Sequence, residues 1–112
     1  MSTSTPASAR GRSRSSPENR VVVENVIRPG TRRRVDGPRY RAMRQAILAV
    51  VPRRAPGLTL ADALAAAILR LPNVLFPAGG SAGWWFKTVQ LDLEAKRVLV
   101  RERTSPIRIH RS

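Results

Sequence analysis

The stretch GGSAGWWFKTVQLDLEAK, residues 79–96, decides how the rest of the chain is interpreted. Its first five residues are all small, and three of the chain's five aromatic residues follow at once. The residues behind them favour a helix, so the pattern predicts a third helix over residues 82–96. Trp84 and Trp85 point about a quarter-turn apart, because successive helical residues are rotated by about 100°. We expect them to anchor the helix start against different neighbours, since the loop before it is flexible.

The predicted third helix has one polar strip and two apolar strips. The polar strip holds Lys87, Gln90, Glu94 and Arg97. Glutamine pairs with adenine, and lysine or arginine with guanine, so Lys87, Gln90 and Arg97 are candidates to contact bases or phosphates. The Glu94 carboxylate would repel phosphate and is expected at the groove edge or beside a basic neighbour. The two apolar strips predict burial on two sides of the helix: Trp84, Thr88, Leu91 and Ala95 on one, and Trp85, Val89 and Leu93 on the other.

Two further helices are predicted upstream. Asp36 can cap the first, with Pro38 in its first turn, and the sequence Val51-Pro52 ends it. Thr59 can cap the second, which ends at Leu71 before a proline. The predicted buried faces are Tyr40, Met43, Ile47 and Val50 in the first helix, and Leu60, Leu64, Ile68 and Leu71 in the second. Val74, Leu75 and Phe76 in the connector are expected to point inward.

The remaining segments divide into a tail, a β-branched stretch and a hairpin. Residues 1–19 are rich in Ser and Arg and predict a disordered basic tail, which leaves residues 20–112 as one folded domain. Residues 21–27 predict a short strand or an extended packing segment. Arg32, Arg33 and Arg34 are expected in a linker that is either simply solvated or follows a phosphate backbone. Residues 98–100 and 107–110 predict two strands around a turn at residues 104–106.

The order helix, helix, helix, hairpin resembles the winged helix-turn-helix domain. PGLTLADALAAAIL, residues 56–69, is similar to the start of its second helix. LEAKRVLVRERTSPIRIHR, residues 93–111, is similar to the passage from its third helix into the wing. The resemblance implies a mainly α fold with a small β-hairpin, whose third helix lies in the major groove. Residues 21–111 also resemble a family of small uncharacterised bacterial proteins, which brings no assigned function. Arg97 stands where winged helices often have glycine.

Charge is the strongest compositional signal. The chain has 21 Lys and Arg residues against 7 Asp and Glu, a formal charge of +14. Such a surface attracts polyanions, of which nucleic acid is the commonest and an anionic membrane surface is the competing one. No apolar run reaches the ~18 residues of a membrane span, so no membrane partner is predicted. The absence of cysteine excludes disulfides and thiolate metal sites, and it fits a bacterial cytoplasm. Nucleoid association is expected if the protein binds DNA.

The predicted DNA-binding residues lie in three places. Ser81 is included because the small residues around it allow a phosphate to approach the free N–H groups of the helix start. The full set is Ser81, Lys87, Gln90 and Arg97 in and around the third helix, Arg101, Arg103 and Arg108 in the wing, and Arg32, Arg33 and Arg34 upstream. Enzymatic function is not expected. The single histidine, His110, has no acidic neighbour in sequence, and the carboxylates show no metal-ligand spacing, so no catalytic residue, metal or cofactor is predicted.

The sequence thus favours a duplex-DNA-binding protein used in transcriptional regulation. Phosphate contacts would dominate its affinity, and the third helix would supply any sequence preference. One alternative is a winged helix that binds a protein without binding DNA, in which the Trp pair or residues 21–27 dock a partner or a second copy. Another is a basic protein associated with RNA or the ribosome. A homodimer stays open, and no small-molecule ligand is expected.

Overall fold

The computed structural model describes residues 19–28, 30 and 32–112 of the 112-residue chain. The predicted disordered tail, residues 1–19, lies outside the described residues except for Asn19. The elements are β1 (Arg20–Glu24), β2 (Arg32–Asp36), α1 (Gly37–Val50), β3 (Leu58–Thr59), α2 (Leu60–Ile68), α3 (Ala82–Ala95), β4 (Leu99–Glu102) and β5 (Arg108–Arg111). The described part of the chain therefore has three α-helices and two small antiparallel sheets. In the part that the structure describes, no helix is long and apolar enough to cross a bilayer.

Strands β1 and β2 form a two-stranded ribbon at the N-terminal end of the described residues. They pair antiparallel, with Val21 opposite Val35 and Val23 opposite Arg33. Val23 and Val35 are buried on one face of the ribbon. The prediction of a linker at Arg32, Arg33 and Arg34 is therefore wrong. Pairing with β1 satisfies the backbone of this segment, and one buried valine holds it in place although its side chains alone do not favour a strand.

Helix α1 follows the ribbon directly, and its predicted boundaries are confirmed. The Asp36 side chain accepts a hydrogen bond of 3.1 Å from the backbone N–H of Arg39, and Pro38 lies in the first turn. The helix ends at Val50, because Val51 before Pro52 adopts an extended conformation. The predicted apolar stripe is also present, since Tyr40, Met43 and Ile47 are buried, while Val50 is partly buried.

Helix α2 begins as predicted, and alanines are the most deeply buried residues of its predicted face. Thr59 Oγ1 accepts a hydrogen bond of 3.1 Å from the N–H of Asp62, which confirms the cap. The helix ends at Ile68 rather than Leu71, and its fully buried residues are Ala63 and Ala67. Leu60, Leu64 and Leu71 pack partly against the core, and Ile68 is exposed. The predicted face is therefore confirmed for Leu60, Leu64 and Leu71 and is wrong for Ile68. The small alanines on the same face allow close packing, mainly against α1.

The connector between α2 and α3 is anchored by a single aromatic residue. Phe76 is buried as predicted, whereas Val74 is 84% exposed and does not point inward. A 3₁₀ turn at Pro77–Gly79 follows, and Asn73 Oδ1 accepts a hydrogen bond of 3.0 Å from the N–H of Ala78. Phe76 meets the ring of Trp85 edge to face, with ring centroids 6.3 Å apart. The connector is thereby fixed to the start of α3.

Helix α3 and the hairpin behind it are confirmed. The C-terminal end of α3 is closed by hydrogen bonds from Arg97 N to Glu94 O (3.0 Å) and from Val98 N to Leu93 O (2.8 Å). This pattern is the Schellman arrangement. Arg97 adopts the left-handed conformation with φ 63°.

Strands β4 and β5 pair with each other, and β5 also pairs with β3, so the strand order is β3-β5-β4. This sheet closes the core formed by α1, α2 and α3, whose most deeply buried side chains include Met43, Ile47, Val89, Leu93 and Ile109.

Candidate nucleic-acid interface

The aromatic residues at the start of α3 divide between core and surface. Trp85 and Phe86 are buried, and Trp84 is 46% exposed. The two indole rings meet edge to face with centroids 5.1 Å apart. Trp85 therefore anchors the helix start, as predicted, and Trp84 presents part of its ring to solvent. The remaining aromatic residues, Tyr40 and Phe76, are also buried, so Trp84 is the one exposed aromatic side chain of the five.

The predicted polar strip of α3 is exposed only at its two ends. Lys87 and Arg97 are exposed, but Gln90 is 2% exposed and Glu94 is 8% exposed. The side-chain amide of Gln90 donates a hydrogen bond to a Glu94 carboxylate oxygen. The expectation that Gln90 meets a base is therefore wrong. Of the two alternatives for Glu94, the groove edge is wrong and the basic neighbour is confirmed, because Glu94 pairs with Arg101. The polar atoms of Gln90 and Glu94 satisfy each other beneath neighbouring elements, as buried polar atoms must.

Arg101 explains why an acidic residue is buried in this helix. Its Nε donates to Glu94 Oε1 at 2.7 Å and its Nη2 donates to Glu94 Oε2 at 3.2 Å. This two-point contact suits the geometry of a guanidinium and a carboxylate. The hydrogen bond to Glu94 is the largest influence on the Arg101 guanidinium, and it raises the pKa of Arg101 above its ordinary value. Arg101 is thus engaged inside the protein, although it was predicted as part of the wing's charged surface.

The other wing arginines differ in what they contact. Arg108 donates from Nη1 to the backbone carbonyl of Gly57 at 2.9 Å, which ties β5 to the loop before β3. Arg103 is exposed and lies in a concave part of the wing. Arg103 is therefore the predicted wing cation that stays on the surface, whereas Arg101 and Arg108 support the fold.

The ribbon arginines point to two different faces. Residues that alternate along a strand share a face, so Arg33 lies on the face of Val23 and Val35, toward α3. Its guanidinium carbon lies 5.6 Å from the centroid of the Trp84 ring. This separation is within the range of a cation–π contact. Arg32 and Arg34 lie on the opposite, solvent-facing side. The ribbon therefore covers part of α3 and presents one arginine to it.

Three adjoining clefts connect the ribbon, α3 and the wing. The ribbon cleft is lined by Val23, Glu24, Arg28, Arg33, Trp84 and Lys87, among others. The middle cleft is lined by Leu60, Leu64, Phe86, Lys87, Gln90 and Arg101, among others. The wing cleft is lined by Arg101, Arg103, Thr104 and Ile107. Lys87 is shared by the first two and Arg101 by the last two, so the cations Arg28, Arg33, Lys87, Arg101 and Arg103 form a continuous series, here called the cation track.

Of the six acidic residues in the part of the chain that the structure describes, four line none of the three clefts: Asp36, Asp62, Asp92 and Glu102. Asp36 caps α1, Asp62 lies in the first turn of α2, and Glu102 pairs with His110. Glu94 reaches the track only as the partner of Arg101. Glu24 lines the ribbon cleft among its cations. The track keeps a net positive charge, because its five cations outnumber the two acidic residues, Glu24 and Glu94, that adjoin it.

Asp92 fixes the position of the ribbon on α3 and was missed in the sequence. Its carboxylate is fully buried and accepts hydrogen bonds from the backbone N–H of Glu24 (2.9 Å), the Tyr40 hydroxyl and Lys96 Nζ (2.8 Å). Burial and the contact with Asp92 raise the pKa of the Tyr40 hydroxyl well above its ordinary value. The local signal was weak, because the acid of a Lys96–Asp92 pair at i, i+4 is ordinarily exposed on a helix.

Ser81 is the N-cap residue of α3, with φ 63° and no hydrogen bond from its side chain to the helix. Its side chain is exposed, and the position of Gly83, two residues on, has open space around it. No group of three metal-binding side chains occurs among residues 19–28, 30 and 32–112.

A protein-family model described as a family of unknown function (DUF6958) matches residues 20–109.

The chain belongs to the DUF6958 family. The DUF6958 match begins with the first residue of β1 and ends within β5, so it spans the ribbon, all three helices and the wing. Every residue of the cation track lies inside the matched range. No curated protein and no solved structure matches the chain. The DUF6958 family carries no assigned activity, so the function has to be inferred from the geometry of the surface.

Proposed function

We propose that this protein is a winged helix-turn-helix domain that binds duplex DNA through the cation track. The observation that carries the proposal is the sharing of Lys87 and Arg101 between adjoining clefts, which joins the ribbon, α3 and the wing into one positive surface. The element order and the strand order β3-β5-β4 support the winged-helix part. A series of cations along one surface is the arrangement that duplex phosphates favour.

The track suggests a division of labour between phosphate and base contacts. Arg28 at the ribbon and Arg103 at the wing would hold the DNA backbone. Residues near the start of a recognition helix are those that reach base edges. In α3 the exposed residues there are Gly83, Trp84 and Lys87. Since Gln90 is buried, direct readout would depend mainly on Lys87, which suits guanine, and sequence preference would be modest.

The solvent-facing arginines of the ribbon would contribute differently. Arg32 and Arg34 lie on the face opposite Arg33, away from the ribbon cleft. They would attract DNA through the general positive field without meeting a phosphate directly. Removing them should therefore slow association and weaken binding less than removing cations of the track. This difference separates a defined surface from net charge alone.

The test is a titration of random duplex DNA over a salt series with matched variants. Lys87→Ala with Arg103→Ala removes two exposed cations of the track, and Arg44→Ala with Arg70→Ala removes two exposed cations elsewhere. The track variant should bind about 10-fold or more weaker at moderate salt, and its slope of log K against log salt should flatten by about 2. The control should stay within about 3-fold of the parent. Equal losses in the two variants would contradict a defined surface.

The choice of residues matters for this test. Replacing Arg101 would leave Glu94 buried without its partner, at a cost of about 3–5 kcal/mol. Replacing Arg108 would remove the contact with the Gly57 carbonyl. A loss of binding in such variants would not distinguish an interface from a folding defect. A duplex RNA of the same sequence, titrated in parallel, tests the alternative partner, because tighter binding to RNA than to DNA would overturn the assignment to DNA.

A further inference from the structure

The ribbon cleft has features that backbone contacts with a duplex do not require. Its volume is about 340 Å³, and small-ligand sites span roughly 300–1,000 Å³. One wall is the exposed part of the Trp84 ring, and three cations, Arg28, Arg33 and Lys87, line it. Four of the chain's five aromatic side chains are buried, so the fold leaves one large apolar ring in contact with solvent beside a positive cluster.

The cations of the cleft are not committed to acidic partners. None of the ion pairs formed by the described residues includes Arg28, Arg33 or Lys87. Arg33 instead lies over the Trp84 ring, 5.6 Å from its centroid. The Arg33 guanidinium therefore covers part of the Trp84 ring, and the rest of the ring is exposed beside it, since Trp84 is 46% exposed. This combination suits a ligand that has a planar ring and a negative charge, because stacking and charge-assisted hydrogen bonding act together.

The cleft is held in shape by contacts that do not involve its binding groups. Asn25 Oδ1 accepts hydrogen bonds from the backbone N–H groups of Ile27 (2.8 Å) and Arg28 (3.3 Å), which fixes the turn that carries Arg28. The contact between Glu24 N and Asp92 Oδ1 holds the ribbon against α3, which carries Trp84 and Lys87. The two walls are thus positioned before any ligand arrives, which lowers the cost of binding.

We propose that the ribbon cleft binds a single nucleotide unit, with the base against Trp84 and the phosphate held by Arg28, Arg33 and Lys87. The nucleotide is either free or the end of a single strand, since the two present the same base and phosphate. The inference does not depend on duplex binding, although Arg28, Arg33 and Lys87 belong to both surfaces.

The test uses the intrinsic fluorescence of the full chain, checked by calorimetry, with adenosine 5′-monophosphate as the probe. Adenosine 5′-monophosphate should quench Trp84 in a saturable way. Adenosine, ribose 5-phosphate and inorganic phosphate should each bind at least about 10-fold weaker, because each lacks part of the recognised unit. Ribose 5-phosphate binding as tightly as the nucleotide would show an anion site without base recognition, and would overturn the proposal.

Variants locate the site and guard against misfolding. Arg28→Ala with Lys87→Ala, and separately Trp84→Ala, should weaken binding at least about 10-fold by calorimetry. Arg44→Ala with Arg70→Ala, which removes equal charge elsewhere, should have little effect. The four substituted charged residues are exposed, and the Trp84 side chain is about half exposed. Circular dichroism should therefore show an unchanged fold in each variant. A control variant that loses as much affinity as the cleft variants would overturn the site.

Two further measurements distinguish a free nucleotide from a strand end, and the nucleotide proposal from the duplex proposal. A 5′-phosphorylated single-stranded tetranucleotide that binds more tightly than the free nucleotide identifies a strand end, and the reverse order identifies a free nucleotide. Arg103→Ala, in the wing, should weaken duplex binding and leave nucleotide binding within about 2-fold. If duplex binds and no nucleotide saturates up to roughly 10 mM, the nucleotide site is overturned and the duplex proposal stands. The opposite result overturns only the duplex proposal.

Discussion

Asp92 Oδ1 in α3 accepts a hydrogen bond of 2.9 Å from the backbone N–H of Glu24 in β1, 68 residues earlier in the chain. The second oxygen of the same carboxylate meets the Tyr40 hydroxyl and Lys96 Nζ. One fully buried side chain therefore joins the ribbon, α1 and α3. The position of the ribbon over Trp84, and with it the ribbon cleft, depends on this carboxylate.

Ionisation of Tyr40 reports whether the Asp92 contact persists in solution. Burial and the hydrogen bond to Asp92 raise the Tyr40 pKa well above its ordinary value of about 10. Neutral Tyr40 therefore adds stability that is complete below pH about 10 and is lost as the pH rises through the folded-state pKa. Tyr40 is the single tyrosine, so its absorbance is unambiguous. The folded protein should show no tyrosinate at pH about 10.5, where a free tyrosine is mostly ionised.

The matched variant for this titration is Asp92→Asn. It removes the negative charge beside the hydroxyl and keeps an oxygen acceptor, so tyrosinate should form at a lower pH than in the parent. Ionisation of the parent near pH about 10 with unchanged circular dichroism would contradict the buried contact.

The His110 imidazole should stay protonated to a higher pH than an ordinary histidine side chain does. Its Nδ1 lies 2.9 Å from the Arg111 carbonyl oxygen and its Nε2 lies 2.8 Å from Glu102 Oε2, so each ring nitrogen faces an acceptor. The contact with the Arg111 carbonyl, and then that with Glu102, raise the His110 pKa. The protonated form therefore stabilises the β4–β5 hairpin fully below pH about 6.5, and this contribution is lost as the pH rises through the folded-state pKa.

The measurement for His110 is proton NMR, in which the single histidine gives unambiguous ring signals. Glu102→Gln should lower the His110 pKa, because a neutral amide no longer favours the imidazolium ion. A parent pKa at or below about 6.5 would show that the two contacts do not persist.

Two glycine substitutions should have opposite effects on stability. A Cβ at Gly57 would overlap the carbonyl oxygen of Ile109, and Gly57 has φ +86°. Gly57→Ala should therefore lower the free energy of unfolding by at least about 2 kcal/mol, since the overlap separates β3 from β5. A Cβ at Gly83 would meet nothing within 4 Å. Gly83→Ala should raise the free energy of unfolding by up to about 1 kcal/mol, because alanine favours a helix. Urea unfolding measures the two, and similar losses would contradict the geometry at Gly57.

Arg97 occupies the left-handed position that closes α3, where most residues other than glycine are strained. Arg97→Gly should raise the free energy of unfolding by about 1 kcal/mol relative to Arg97→Ala. The two variants remove the same charge. Any contact of Arg97 with DNA should therefore be lost equally in the two variants. A DNA titration measures the effect of the lost charge, and the urea curves measure the effect of the backbone conformation at the turn. Equal stability of the two variants would contradict the Schellman end.

Local signals in the sequence were sufficient to predict the three helices, apart from the end of α2, and the C-terminal hairpin. Asp36, Thr59 and the residue before Pro52 set helix boundaries through contacts within a few residues, and such contacts are visible in the sequence. The left-handed Arg97 was foreseeable for the same reason, since a helix that turns into a strand often needs a residue of positive φ. The resulting prediction of three helices followed by a hairpin is confirmed.

The surroundings of the site residues could not be predicted from the sequence, because they depend on contacts between distant parts of the chain. Gln90 and Glu94 have the spacing of an exposed strip, and their burial depends on Arg101 returning from β4 to neutralise the carboxylate. The strand at Arg32, Arg33 and Arg34 depends on pairing with a strand earlier in the chain. Periodicity within one element carries neither kind of information. The cations of the track were named in part, because exposed charge is common in a basic chain, but their neighbours were not.

Ala63 and Ala67 have a consequence for the charged surface on the other side of α2. These two residues are fully buried where α2 packs mainly against α1, and each offers a single methyl group. Any longer side chain there would push the two helices apart. Leu60 and Ala61 of the same helix line the middle cleft beside Lys87 and Arg101. The position of the α2 wall of the middle cleft therefore depends on two methyl groups buried in the protein core.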